Sequence, residues 1–195
     1  MNLRKYGWLF FTTLLVGALG GMLVGMMLAP DKVFGGTIDN FFVVTLMNML
    51  VGLTISIVAQ MGFFAYMTIN YFALGLFKSA SLWKSIQIFL VLFTFFDTVY
   101  LRYTAFGEGG AIWPFVVAPA LLLLVSWVTA YAKVRLTNPG AWVPTLFFMF
   151  VFTTIEWIPA LKQNDNTTIL FMSVPLLFCN VWQVMQLHRL VKNES

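Results

Sequence analysis

Long apolar runs alternate with short polar punctuation along this chain, and each run is long enough to cross a bilayer as a helix, which takes about 20 residues. The first runs from about Tyr6 to Ala29, with Thr13, Gly17, Gly21, Gly25 and Ala29 at every fourth position. Small residues at that spacing share one helix face and let two backbones approach closely. Pro30 to Asn40 then reads as a polar loop. The third run, about Ile86 to Tyr103, places Gln87, Thr94, Asp97 and Thr98 roughly along one side. A short glycine-rich loop, Ala105 to Ala111, leads to a fourth run from Ile112 to Ala132. There Pro114 falls in the first turn and Pro119 further in, where a kink is expected. The fifth run, Ala141 to Leu161, carries Thr145, Thr153 and Glu156 on one side. The sixth, Thr168 to Leu187, is interrupted by Pro175 and has Asn180, Gln183 and Gln186 available to bond a neighbouring helix.

The second run is ambiguous. Between Asp39 and Lys78 there is no charge, and a helix of that length would extend about 55 Å against a hydrocarbon core of about 30 Å. Phe41 to Phe77 is therefore either one tilted or broken span with an interfacial extension, or two short spans that turn near Gln60 to Gly62. Thr45, Asn48, Gly52, Ser56 and Ala59 form a small, polar stripe suited to close helix packing.

Composition turns the runs into a class. With 61% hydrophobic and only 9% charged residues and a mean hydropathy of +0.89, the chain reads as an all-α polytopic membrane protein forming a single helical domain over residues 1–195. Unbroken apolar runs exclude a transmembrane barrel, whose strands alternate. Six spans with both termini cytoplasmic put Arg4, Lys5, Lys78, Lys84, Lys133, Arg135, Arg189 and Lys192 on one side and Lys32, Arg102 and Lys162 on the other. Eight against three agrees with the positive-inside rule. Seven spans with the N-terminus outside give seven against four and remain as the alternative. Arg4 and Lys5 ahead of the first run resemble a signal peptide, but no cleavage site is evident and a retained span is expected. Trp8, Trp83, Trp113, Trp142 and Trp157 fall near span ends, as interfacial anchors do. The cations are scattered at span ends, so the net charge of +4 gives no nucleic-acid footprint.

The costliest side chain in such a chain is Asp97, since a charge near the bilayer centre costs about 3 kcal/mol on insertion scales. Asp97, Arg102 and Glu156 all fall in the outer half of the six-span arrangement, which makes a buried polar or ligand-sensing cluster possible. The bland alternative wets all three at one interface. Catalytic chemistry is not expected: the one histidine, His188, sits beside Arg189 at a span end, and no metal, phosphate-loop or nucleophile motif occurs. No cofactor is called for, and the lone Cys179 has no partner for a disulfide and reads as core packing.

Two stretches, FFTTLLVGALGGMLVG at Phe10 to Gly25 and FMFVFTTIEWIPALKQND at Phe148 to Asp165, together with length and hydropathy, resemble the KinB-signalling pathway activation protein family of spore-forming bacilli. The resemblance implies a multi-pass protein of the bacterial cell membrane that promotes signalling by a membrane sensor histidine kinase feeding the sporulation phosphorelay. It implies no catalytic motif. The expectation is a non-enzymatic regulator, surrounded by membrane lipids, that touches the kinase through transmembrane helices. The Thr13, Gly17, Gly21, Gly25 and Ala29 face is the candidate contact surface. The alternative is a small transporter, or a lipid- or small-molecule-binding membrane protein, with its site around the carboxylates.

Overall fold

A computed structural model describes residues 3–35, 38–77, 79–163 and 165–191. Lys78 and Lys192, both counted among the cytoplasmic cations, lie outside the described residues. The helices are α1 (Leu3–Leu28), a short α2 (Pro30–Phe34), α3 (Ile38–Phe77), α4 (Ala80–Phe106) and α5 (Trp113–Leu136). They are followed by α6 (Trp142–Phe147), a π-helical segment (Phe148–Phe152), α7 (Thr153–Leu161) and α8 (Asn166–Val191). Six described spans are long and apolar enough to cross a membrane, with Pro139–Leu161 counting as one. The protein is all-α, as the pattern predicts.

Phe41 to Phe77 does not turn. It belongs to α3, a single helix of 40 residues. No proline interrupts it, and its glycines, Gly52, Gly62 and Gly75, are isolated positions that a helix tolerates at modest cost. At about 1.5 Å per residue it measures about 60 Å, and a tilt of about 40° brings its ends to the two head-group layers, about 45 Å apart. The polar loop after the first span also differs from expectation. It contains α2, with Pro30 in its first turn and Asp31 beside it, and Gly35 donates its N–H to the Asp31 carbonyl at 2.8 Å. The prolines inside α5 and α8, Pro119 and Pro175, do not end their helices.

The chain forms two compact units. One comprises residues 1–61 with 165–195, the other residues 62–164. In the first, the glycine face of α1 runs antiparallel along α3. A Cβ placed on Gly17 would collide with Ser56 and stand 2.7 Å from the Gly52 carbonyl oxygen; one on Gly21 would meet the Asn48 carbonyl and lie 2.8 Å from the Gly52 Cα. At Gly25 the Asn48 side chain takes the vacant space. The stripes read separately from the first and second runs are therefore two halves of one seam. Helix α8 lies along α1. Trp182 donates its indole N–H to the Thr12 hydroxyl at 3.1 Å, the buried Cys179 thiol points to the Thr13 carbonyl at 3.7 Å, and Pro175 fits against Gly20. The Gln60 amide reaches the Phe10 carbonyl at 3.4 Å.

The second unit is built on aromatic side chains. Phe63, Tyr66, Phe147, Phe148 and Phe152 meet at centroid distances of 5.0–6.3 Å. Such tilted and edge-on pairs contribute about 0.5–1.5 kcal/mol each beyond the area they bury. Trp83 stacks on Phe77 at 5.9 Å and donates its N–H to Asn70 Oδ1 at 2.9 Å, so the α3–α4 connection is pinned by a buried indole. Trp83 and Trp157 are only 6% and 5% exposed. Both are core residues rather than the interfacial anchors their sequence positions suggested, because their helices pack them inward. Trp113, 73% exposed, is free to anchor.

Candidate functional site

The polar side chains of interest all belong to the second unit, and α4 sets their arrangement. Ser79 caps its start by accepting the Leu82 N–H at 3.4 Å. From there the 3.6-residue period turns Trp83, Gln87, Val91, Thr98 and Arg102 inward. Thr94 and Asp97 sit at the edge of that buried face, half-buried, and the Thr98 hydroxyl returns to the Thr94 carbonyl at 2.7 Å.

Arg102 is buried, 8% exposed. Its guanidinium carbon lies 5.8 Å from the Phe115 ring centroid at the start of α5, within cation–π range. Phe115 meets Tyr103 edge-on at 5.9 Å, and the Tyr103 hydroxyl donates to the Gly110 carbonyl at 3.2 Å. The intervening turn uses left-handed backbone at Glu108 (φ 42°) and Gly109 (φ 75°), and Gly110 closes it through its N–H to the Gly107 carbonyl at 2.6 Å. The chain reversal thus fixes where Arg102 can point.

The helix opposite is not regular. Between α6 and α7 the backbone widens into a π turn over Phe148–Phe152, all five residues buried. A π turn inserts one residue into the α register, so the residues after it are rotated by about 100° relative to a straight helix. Thr145 and Glu156, which a regular α-helix would align, are thereby offset. The wall that Thr154, Ile155 and Ile158 present to α4 is a product of this rotation.

Together α4 and α7 enclose a cleft of about 570 Å³, lined on one side by Thr94, Asp97, Thr98, Leu101 and Arg102 and on the other by Thr154, Ile155, Ile158 and Lys162. Asp97 and Arg102 therefore line the same cleft. Glu156 does not line it. Its carboxylate occupies the space above Gly62 of α3, where an added Cβ would lie 2.7 Å from the Glu156 Cδ and overlap a carboxylate oxygen. At 8% exposure that carboxylate is held inside the unit, seated in the notch a missing side chain leaves. Lys162, which had read only as a topology marker, is a wall of the cleft. Gly62 carried a signal of its own: it is a glycine within a continuous helix that has no small partner four residues away on its C-terminal side. A second groove, about 480 Å³ between α4, α5 and α6, is lined only by apolar side chains, among them Phe95, Trp127 and Trp142. It offers no polar chemistry.

The candidate contact face of the first span is occupied. Thr13 is fully buried, and Gly17, Gly21 and Gly25 lie against Ser56, Gly52 and Asn48 of the chain's own α3. Ala29 falls just beyond α1, as the residue preceding α2.

A family model described as KinB-signalling pathway activation in sporulation matches residues 17–190. The chain belongs to this family. The KinB-signaling pathway activation protein of Bacillus subtilis (strain 168) is 37% identical over 184 residues, covering 91% of this chain and 92% of that protein. No solved structure matches. Within this member of the KinB-signalling activation family, both stretches that carried the resemblance have structural roles. Phe10 to Gly25 supplies the α1 seam, and Phe148 to Asp165 supplies the π turn, the Glu156 notch and the α7 wall of the cleft.

Proposed function

We propose that this protein activates KinB signalling in sporulation as a non-enzymatic regulator embedded in the cell membrane, acting on a membrane sensor histidine kinase through contacts between transmembrane helices. The family relationship supplies the pathway. The observation that carries the mode of action is how little of the chain lies outside the spans. Between Gly107 and Ile112 only six residues separate α4 from α5, and among the described residues no connection is large enough to form a separate binding domain. A partner is therefore met within the bilayer.

The contact surface is α3 rather than the α1 face, whose glycines are already engaged by α3. Helix α3 has the lowest buried share of the six spans, 17% against 44% for α1. Val43, Met47, Leu50, Ile57 and Met61 are all exposed and succeed one another at spacings of three, four or seven, the period of a left-handed helix pair. Activation requires that the protein bind the active kinase arrangement better than the inactive one.

The test is autophosphorylation of the kinase in lipid nanodiscs with and without this protein, scored alongside co-purification. The expected result is a rise in phosphorylation with stable association. Paired Leu50→Ala and Ile57→Ala changes should weaken both, while Leu121→Ala and Val128→Ala, more exposed still and on α5, should weaken neither. No association and no rise would sink direct activation.

A further inference from the structure

We propose that the α4–α7 cleft is a groove that receives a transmembrane helix of the partner kinase, one that carries a single basic side chain, lysine or arginine, level with Asp97. The inference rests on the reading above that the partner is met within the bilayer, and it adds a contact on the second unit to the stripe on α3. Both walls of the cleft are spaced for a helix. Thr94, Asp97 and Leu101 on α4 and Ile155, Ile158 and Lys162 on α7 each follow one another at intervals of three and then four, the period with which left-handed helix pairs interlock. The groove opens toward the bilayer at Leu101, Ile155 and Ile158, which are 42–55% exposed. Two such stripes on either side of one opening fit a third helix laid between them.

Asp97 sets the charge of that helix. At about 1.5 Å per residue α4, with 27 residues, is about 40 Å long and overhangs a hydrocarbon core of about 30 Å by about 5 Å at each end. Asp97, nine residues before Phe106, thus lies about 8 Å inside the hydrocarbon. A carboxylate within a span costs up to about 3 kcal/mol unless a partner meets it. Among the described residues the second unit supplies none, since Asp97 makes no hydrogen bond or ion pair there. The hydroxyls of Thr98 and Thr154 on the two walls donate instead to the Thr94 and Phe150 carbonyls of their own helices, both at 2.7 Å. Arg102 is turned onto the buried face toward Phe115, five residues and about 7.5 Å along the axis from Asp97. Lys162 stands exposed just past the end of α7, where head groups and water surround it. A lysine or arginine that reaches Asp97 from a neighbouring helix therefore meets an unshared acceptor. The two cations nearer the helix ends repel a basic side chain placed one turn closer to the head groups, which fixes its depth. The wholly apolar groove between α4, α5 and α6 carries no charge and selects no such helix.

The experiment measures association of the full-length protein with the full-length kinase in lipid nanodiscs, together with the thermal midpoint of the protein alone. Asp97→Asn should weaken association about tenfold, the equivalent of about 1.4 kcal/mol, and leave the unbound midpoint at or above wild type, because no contact within the protein is lost. Asp97→Glu should keep most of the association. Ile155→Trp, which fills the groove from an exposed position, should weaken association without altering the midpoint. Replacing the lysines and arginines in the kinase spans by leucine, one at a time, should reveal one whose loss matches that of Asp97→Asn and adds nothing to it in the double change. Full association in Asp97→Asn and Ile155→Trp, with the Leu50→Ala and Ile57→Ala pair still weakening it, overturns the groove and leaves the α3 contact standing. No association in the wild-type protein overturns both. A midpoint that falls together with association in Asp97→Asn makes Asp97 a structural residue and overturns the proposal, as does a loss that couples to no cation of the kinase. Self-association of the protein that Asp97→Asn dissolves would assign the groove to a second copy and overturn the kinase helix.

Discussion

Gly52 offers the sharpest test of the α1–α3 seam. A methyl group added there would overlap the Gly17 carbonyl oxygen and lie 3.0 Å from both the Gly17 carbonyl carbon and the Gly21 Cα. All three are backbone atoms, so none can rotate away, and the helices must part by about 0.5–1 Å to restore ordinary contact distances. A gap of that size forfeits about a quarter to a half of each dispersion contact, worth about 0.1–0.2 kcal/mol apiece. Over about twenty contacts along the seam the loss is about 1 kcal/mol, before the unrelieved carbonyl clash, and overpacking of this kind costs about 1–3 kcal/mol in all. The better helix propensity of alanine returns less than about 1 kcal/mol. Gly75→Ala is the matched control in the same helix, since a Cβ there meets nothing within 4 Å. Cys179 is fully buried in the same unit as the seam and is the chain's one cysteine, so a thiol-reactive dye reports when the seam opens. Gly52→Ala should label at a midpoint about 2–8 °C below wild type, for a net loss of about 1–2 kcal/mol at about 2–4 °C per kcal/mol for a chain of this length, whereas Gly75→Ala should label no earlier than wild type. Coincident curves for the two variants would refute the account of α1–α3 packing.

Three further outcomes are expected. Gly62→Ala should destabilise the second unit by about 1–3 kcal/mol by displacing the Glu156 carboxylate, and Glu156→Ala should relieve much of that cost. A thermal-melt double-mutant cycle that came out additive would mean the notch is not shared. Trp83→Phe keeps the stack on Phe77 but strands the Asn70 acceptor, for a loss of about 1 kcal/mol, measurable by urea or heat titration against Trp113→Phe as the exposed control. Asp165 accepts hydrogen bonds from the Thr168 hydroxyl at 2.6 Å and the Thr168 N–H at 2.8 Å, and these, the hydroxyl bond first, hold its carboxyl below the usual aspartate range. Its capping of α8 is therefore complete above the unfolded aspartate pKa, about 3.9, and is lost as pH falls through the lowered folded value. Amide exchange at Thr167 to Ile169 should speed up in that acidic window and, at neutral pH, in Asp165→Ala. Indifference to both changes would remove the cap.

The spans were legible because hydrophobic length is a one-dimensional property. The stripes of α1 and α3 could also be read, since spacing of four within one helix needs no knowledge of the partner. That the two stripes face each other could not be read, because pairing is a property of two segments and each stripe specifies only its own face. Once Gly17, Gly21 and Gly25 are seen against Ser56, Gly52 and Asn48, the outward surface passes from α1 to α3, and the proposed kinase contact moves with it.

The candidate site was half legible for a related reason. Asp97 and Arg102 belong to one regular helix and both line one cleft, Arg102 from the buried face it shares with Thr98, four residues earlier, and Asp97 from the edge of that face. Glu156 was grouped with them by its level in the six-span arrangement, which does not say which way a side chain faces, and the π turn at Phe148–Phe152 shifts the residues after it by one position. Nothing in a run of five apolar residues distinguishes a π turn from an α turn, since its cause lies in its surroundings. The extra residue lets five successive side chains be buried at the centre of the second unit. It sends Glu156 to the Gly62 notch and turns Thr154, Ile155 and Ile158 toward α4. The same insertion therefore gives the two carboxylates different surroundings, Asp97 on the wall of the cleft and Glu156 over the notch at Gly62.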